Sequence, residues 1–191
     1  RQMCIRDRLY CYSYKNLREN VENFKKAFKE IRPLICFSVK SNSNISLLKE
    51  IKKLGLGADV VSKGELYASL KAGINKNKIV FSGVGKTKDE IEYAIKQKIL
   101  LINSESLSEV LAIEAAAKKL NKVVDIGLRL NPDTDAETLK QISTGKSENK
   151  FGVDKKTFVK IINLMKQSKF INIKCLSCLL YTSPSPRDPI G

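Results

Sequence analysis

The sequence ICFSVKSN, residues 35–42, is the stretch from which the rest of the chain can be interpreted. A mostly apolar run leads directly into Lys40, and a polar SNSN tract follows it. A short apolar run bounded by turn-forming residues predicts a buried β-strand, which places Lys40 at the carboxyl end of that strand. A lysine at a strand end is by itself most often a solvated residue. In α/β proteins, however, ligands bind at this end of the strands, so Lys40 is a candidate functional residue.

The composition indicates a soluble globular protein. Of the 191 residues, 42% are apolar and 29% are charged, which is enough to form a sizeable core. The sequence has no run of about 18 apolar residues, so no transmembrane helix is predicted, and no secretory signal pattern is found at its start. Outside the two terminal segments the cysteines are odd in number and lack paired spacing, so the sequence predicts no disulfide framework and a cytoplasmic protein.

The net charge of +15 raises the question of a nucleic-acid or anionic-surface partner. The lysines are spread along every predicted helix, as in KEIKKLG, IKQK and AAAKKLNK, which is typical of solvated helix faces. The sequence contains no basic arm and no basic cluster interleaved with aromatic residues, so we expect neither a nucleic acid nor a membrane as partner. The complete lack of histidine disfavours a zinc site and a histidine-activated nucleophile.

Both ends of the sequence read differently from the rest. RQMCIRDR (residues 1–8) and CLLYTSPSPRD (residues 178–188) back-translate to a common transposon-based sequencing adaptor, and the second carries the reverse complement of the core of the first. Two independent ends are not expected to match an adaptor by chance. We therefore expect residues 1–8 and 178–191 to be non-native and exclude them from the interpretation of the fold.

Between these ends the chain alternates predicted strands and helices with short connections. The predicted strands are residues 9–14, 35–40, 57–62, 78–83, 99–104, 123–131 and 171–177, and the helices are residues 16–31, 46–55, 63–73, 89–98, 105–120 and 155–168. Strands that are continuous runs of Ile, Val and Leu predict a parallel sheet covered on both faces. A (β/α)8 barrel and an open doubly wound sheet both fit. The polar loop after the 123–131 strand favours the barrel, with about six of its eight βα units in residues 15–177.

Polar residues recur near the carboxyl ends of these strands, where a parallel sheet would gather them at one rim. They are Lys40, Asp59, Ser82, Gly83, Asn103, Glu105, Arg129 and Asn131. Some of the polar signals have a simpler explanation, because the patterns that begin at Ser62, Thr87 and Ser106 are capping boxes that start helices. FSGVGKT resembles a phosphate-binding loop, but Val80 stands where its first glycine is required, so an NTPase is rejected.

Several motifs together resemble one family. LYCYS, the lysine strand, LGLGADVVSKGELYASLKAG, KIVFSGVGKT, LRLNPDTDA and ISTGKSENKFG occur in the order and spacing of the diaminopimelate decarboxylases, which are pyridoxal-phosphate enzymes with an alanine-racemase-like barrel. FSGVGKT and ISTG–ENKFG are the most specific of them. The lysine strand reads CFSVKSN where YAVKAN is more usual, which keeps the lysine. The resemblance implies that residues 9–14 belong to a β domain that the chain otherwise lacks.

The resemblance also implies a chemistry. It predicts pyridoxal 5'-phosphate held as a Schiff base on Lys40, with Asp59, Glu65 and Arg129 around the cofactor and Glu65 near the pyridine nitrogen. Glu65 can cap its helix at the same time. The implied reaction of a full-length, homodimeric parent is decarboxylation of meso-2,6-diaminopimelate to L-lysine, while the chain alone is expected to be inactive. The alternatives are a related decarboxylase acting on carboxynorspermidine or arginine, a non-catalytic pyridoxal-phosphate-binding protein, and a basic nucleic-acid binder.

Overall fold

Each described strand follows a helix, and each strand after the first pairs with the strand before it. The computed structural model describes residues 11–131 and 151–178. The helices are α1 Tyr14–Ala27, α2 Ile45–Lys53, α3 Lys63–Lys71, α4 Lys88–Gln97, α5 Leu107–Leu120 and α6 Lys155–Met165. The strands are β1 Cys36–Ser38, β2 Gly57–Val60, β3 Ile79–Phe81, β4 Leu101–Ser104, β5 Val124–Arg129 and β6 Ile171–Ser177.

All six strands are parallel, and their order in the sheet is the order in the sequence, from β1 to β6. A doubly wound sheet reverses its strand order at a switch point, whereas a barrel adds each strand next to the previous one. The described sheet has no such reversal. The prediction of six consecutive units of a (β/α) barrel is therefore confirmed.

The strands present two different faces. Alternate residues, such as Val60, Phe81, Ile102 and Leu128, are at most 1% exposed and pack in one core with the apolar sides of the helices. The intervening residues belong to the opposite face, and several of them are polar. Since side chains of a strand alternate between the two faces, burying the first set under the helices necessarily places the polar set on the other face.

Helix starts follow local sequence. Side chains of Ser13, Asn44, Ser62, Thr87, Ser106 and Asp154 each accept a hydrogen bond from a backbone N–H in the first turn of the following helix. These contacts satisfy N–H groups that have no partner within the helix. Of the three predicted capping boxes, the one formed by Thr87 and Glu90 is complete in both directions.

The first segment departs from expectation. Residues 9–14 were predicted as a strand; Cys11–Ser13 have no regular structure and Tyr14 begins α1, while residues 9 and 10 lie outside the described part. The prediction is wrong for the described residues because Ser13 caps the helix: its Oγ accepts the Asn16 N–H at 3.2 Å.

Helix α1 is also shorter and less buried than its pattern indicates. It ends at Ala27 instead of residue 31, and Leu17 and Val21 pack against the core. Phe24 and Phe28 are 50% and 39% exposed and contact each other, with ring centroids 4.7 Å apart. Within the described residues, α1 therefore buries only part of its large apolar side chains. In the described part of the chain, no helix has both the length and the apolar character to cross a membrane.

Gly57 is buried in β2, where the strands are tightly packed, and a substitution there tests this packing. A Cβ at this position would overlap the carbonyl oxygen of Lys78 and lie 2.8 Å from the Cys36 sulfur. We expect Gly57→Ala to lower the free energy of unfolding by about 1–3 kcal/mol, as overpacking does. Gly64 in α3 is the matched control, because the nearest atom to its Cβ would be 3.8 Å away and alanine favours a helix. Urea unfolding that finds Gly57→Ala as stable as Gly64→Ala would contradict this packing.

Candidate active site

Lys40 lies just beyond β1, in a 3-10 turn over Val39–Ser41, rather than inside the strand. Val39 is fully buried and anchors the turn, while Lys40 itself is exposed. Ser41 Oγ donates to the Ser38 carbonyl at 2.7 Å and the Asn42 N–H donates to the Val39 carbonyl at 3.0 Å. Within residues 11–131 and 151–178, nothing accepts a hydrogen bond from the Lys40 amine. The turn is thus rigidly held while its amine is accessible.

Asp59 lies on the neighbouring strand, opposite Ser38 in the register of β1 and β2. Ser82 Oγ donates to Asp59 Oδ1 at 2.6 Å, and Asn103 Nδ2 donates to Ser82 Oγ at 3.1 Å. These three side chains, which we name the polar relay, connect the ends of β2, β3 and β4. The relay has a direction, because the amide can only donate and the ionised carboxylate can only accept.

The carboxyl group of Asp59 has an unusual proton affinity. Burial raises its pKa above the ordinary aspartate value, while the hydrogen bond from Ser82 and the positive charges of Lys40 and Lys86 oppose that rise. Lys40 comes two residues after Ser38, the residue that pairs with Asp59, so the amine and the carboxylate belong to neighbouring strand ends. A carboxylate with a raised pKa is better suited to proton exchange near neutral pH.

Asn103 depends on a glycine across the sheet. Its Oδ1 is buried and accepts no hydrogen bond from any described residue. Gly127 pairs with Asn103 between β4 and β5, and a Cβ on Gly127 would overlap this same oxygen. Gly127 therefore leaves the space that the amide of the polar relay occupies. Asn103 was predicted from the sequence as a residue of the rim, whereas the requirement for glycine at position 127 was not.

Arg129 lies at the carboxyl end of β5 and is held in a buried ion pair. Its Nη1 donates to Glu105 Oε2 at 3.0 Å, and the two side chains are 14% and 3% exposed. The guanidinium also lies over the ring of Phe151, 5.2 Å from its centroid, which is a favourable cation–π distance. Its orientation is consequently set by protein contacts. No hydrogen bond joins Arg129 to Lys40 or Asp59.

The Glu65 carboxylate makes a capping contact at the start of α3. Its Oε2 accepts the Val61 N–H at 2.9 Å, and its own N–H donates to Ser62 Oγ at 3.2 Å. The structure therefore gives this carboxylate a helix-capping contact, one residue before the position of a standard capping box. Its place beside a pyridine nitrogen stays a prediction.

Lys86, the lysine of FSGVGKT, was not among the predicted site residues. Its ammonium group is buried and donates to Gly83 O, Asn103 O and Glu109 Oε1 at 2.6, 2.6 and 2.9 Å. FSGVGKT was considered as a phosphate loop and as a family motif, and neither interpretation gave its lysine a role. The available signal was the pair of glycines that precede the lysine, Gly83 and Gly85, which both have positive φ and let the loop fold back. In the described ranges no group of three histidine, cysteine or acidic side chains could hold a metal ion.

Residues 14–180 match the family described as "Pyridoxal-dependent decarboxylase, pyridoxal binding domain". The chain belongs to this family.

Two curated relatives are diaminopimelate decarboxylases. The protein of Helicobacter pylori strain J99 is 46% identical over 162 residues, and that of Campylobacter jejuni is 45% identical over 162 residues. In both cases the match covers 85% of this chain and 40% of the relative. The chain thus spans about two fifths of the length of the curated relatives it matches.

Solved structures agree with the fold. The crystal structure of diaminopimelate decarboxylase from Helicobacter pylori complexed with L-lysine has a TM-score of 0.86 and 40% identity, covering 93% of this chain and 46% of that one. The arginine decarboxylase of Paramecium bursaria Chlorella virus has a TM-score of 0.68 at 22% identity, covering 84% and 41%, which shows a common fold alone. The expected family resemblance is confirmed.

The raised pKa of Asp59 predicts a pH dependence. The folded state binds the proton of the Asp59 carboxyl group more tightly than the unfolded state does. Ionised Asp59 therefore lowers the free energy of unfolding at neutral pH. This destabilisation disappears as the pH falls toward the pKa of aspartate in the unfolded state, which is near ~4. In the cofactor-free full-length protein, we expect Asp59→Asn to gain stability relative to wild type at pH 7 and to lose that gain in acid. Urea unfolding at a series of pH values measures the difference.

Asp154→Asn is the control, because the pKa of Asp154 is shifted in the opposite direction from that of Asp59. Hydrogen bonds from Thr157, its backbone N–H first, lower the pKa of Asp154, so its charge stabilises the folded state at neutral pH. The stability difference between this variant and wild type should therefore change with pH in the opposite direction. If both variants follow the same direction, the assignment of a raised pKa to Asp59 is wrong.

Proposed function

We propose that the full-length protein containing this chain decarboxylates meso-2,6-diaminopimelate to L-lysine and CO2. The observation that carries the proposal is the accessible Lys40 amine, in the turn after β1 and next to the strand that carries Asp59, at the strand-end rim of a pyridoxal-binding domain. The choice of substrate is supported by the curated relatives named diaminopimelate decarboxylase and by the L-lysine in the Helicobacter pylori structure. L-Lysine is the product expected of this reaction.

The residues present fit pyridoxal 5'-phosphate. Covalent attachment of an aldehyde needs a primary amine that is reachable and not consumed by a salt bridge, and in the described residues the Lys40 amine meets both conditions. The orphaned Oδ1 of Asn103 and the fixed guanidinium of Arg129 add an acceptor and a cation on the same sheet. When bound, the cofactor supplies an electron sink for the bond that breaks as CO2 leaves.

We assign the proton transfer from Lys40 to residues of the polar relay. A lysine amine must be neutral to act as a nucleophile, so a proton has to leave Lys40 Nζ. Asp59 can hold that proton: Ser82 occupies Oδ1, whereas Oδ2 accepts no hydrogen bond from any described residue. Asn103 keeps Ser82 oriented as a donor toward Asp59. The relay thereby directs the free oxygen of Asp59 to proton exchange.

Arg129 and Glu65 have different proposed parts. The guanidinium of Arg129, which Glu105 orients, favours an anionic group at the end of β5. Glu65 is proposed as the carboxylate near the pyridine nitrogen, from the amino end of α3. The full-length protein is further proposed to be a cytoplasmic homodimer with no nucleic-acid partner, which size-exclusion chromatography and a DNA-binding titration over a range of salt concentrations would test.

Lys40 provides the direct test. Borohydride reduction of the full-length protein with pyridoxal phosphate should fix the cofactor on the Lys40 peptide, identified by mass spectrometry. We expect Lys40→Ala to abolish this label and to lower CO2 release from meso-diaminopimelate by on the order of 10⁴-fold or more, as loss of a covalent catalytic residue does. Lys49→Ala, an exposed lysine of α2, is the control and should keep both.

The substrate is decided by the same assay. CO2 release from arginine or carboxynorspermidine, but not from meso-diaminopimelate, would replace the proposed activity by that of a related decarboxylase. Labelling of Lys40 without CO2 release from any of the three would make the protein a non-catalytic binder of pyridoxal phosphate.

A further inference from the structure

The ammonium group of Lys86 is buried to an unusual degree. Its side chain is 1% exposed, and that of its partner Glu109 is 9% exposed. A lysine ammonium has three donors, and here all three are used by Gly83 O, Asn103 O and Glu109 Oε1. Burying such a charge is unfavourable unless it is paired and fully hydrogen-bonded, as it is here. No donor is left for a phosphate or a substrate, so the role of Lys86 is not direct binding.

The three acceptors lie on three separate segments. Gly83 follows Ser82 in the loop after β3, Asn103 lies on β4, and Glu109 lies in the first turn of α5. Ser82 and Asn103 are the two members of the polar relay that act on Asp59. By bonding the backbone at Gly83 and Asn103 at the same time, Lys86 holds the two chain segments that carry these side chains.

A second connection leads from Lys86 to Arg129. Glu109 accepts from Lys86 through Oε1 and from the Glu105 N–H through Oε2, the latter at 2.8 Å. Glu105 in turn accepts from Arg129 Nη1. The Glu109 carboxylate therefore connects the buried ammonium group of Lys86 to Glu105, which orients the guanidinium of Arg129.

We propose that Lys86, together with Glu109, is a positioning residue that holds the polar relay and Arg129 in their places at the candidate active site. This inference rests on the proposed function, because the relay and Arg129 are the groups assigned to it. It also explains why a glycine-rich loop ending in lysine is present in a protein that is not an NTPase: the lysine turns inward and secures the strand ends.

A double variant of the full-length protein tests the inference. Lys86→Met alone would leave the negative charge of Glu109 buried without its positive partner and endanger folding, so Lys86→Met/Glu109→Gln removes both charges while keeping similar side-chain volumes. The control is Lys63→Met, since Lys63 pairs with Asp89 at the surface, with side chains 45% and 74% exposed. Cooperative urea unfolding establishes that each variant is folded.

The expected results separate positioning from support of the fold. For the double variant, we expect kcat per labelled Lys40 to fall by about 10- to 100-fold, as loss of residues that orient the reacting groups does, with a smaller change in KM. The acid limb of the kcat/KM profile should move to higher pH, because Asp59 loses a positive neighbour and a well-held Ser82 donor. Lys63→Met should change neither quantity. A double variant with the wild-type kcat and pH profile would overturn the inference.

Cofactor affinity gives a readout that does not need turnover. We expect the double variant to bind pyridoxal phosphate about tenfold more weakly than wild type, by absorbance titration, and Lys63→Met to bind it equally well. If the wild-type protein binds pyridoxal phosphate but releases no CO2, the proposed function fails while this affinity difference still decides the role of Lys86. An unchanged affinity in that case would overturn it, as would a wild-type protein that does not bind pyridoxal phosphate.

Discussion

Parallel pairing of consecutive strands is the constraint on which the candidate site depends. Because β1 to β6 run in one direction and follow one another in the sheet, their carboxyl ends meet at one rim. Residues far apart in the chain become neighbours there: Ser82 contacts Asp59 over 23 positions, and Arg129 contacts Glu105 over 24. Burial of the alternate strand residues under the helices leaves the polar set on the opposite face.

The rim is organised by a small number of strong, buried polar contacts. Two ion pairs with side chains at most 14% exposed, Lys86–Glu109 and Arg129–Glu105, are joined through the backbone N–H of Glu105. Pairs of this kind add little net stability compared with apolar packing, but they strongly disfavour any arrangement that leaves one charge alone. They therefore suit a site where the placement of a few groups matters more than overall stability. Exposed pairs such as Lys63–Asp89 do not have this effect.

Much of the fold was predictable because it is encoded locally. Helices α2 to α6 begin at side chains that cap the first turn, and Ser62, Thr87 and Ser106 were recognisable from their spacing alone. The error at Cys11–Tyr14 has the opposite cause. A short segment such as LYCYSY forms a strand only if another strand is available to pair with it, and in the described structure Ser13 caps a helix instead.

The sequence by itself determined the succession of strands and helices after residue 14, the family, and the place of Lys40 directly after β1, because these follow from short-range periodicity, capping residues and contiguous motifs. Only the tertiary structure decided that Lys86 is buried, that the relay runs from Asn103 to Asp59, and that Gly127 must lack a side chain. Each of these depends on atoms from different strands meeting within about 3 Å, and the spacing of residues along one chain does not specify such a meeting.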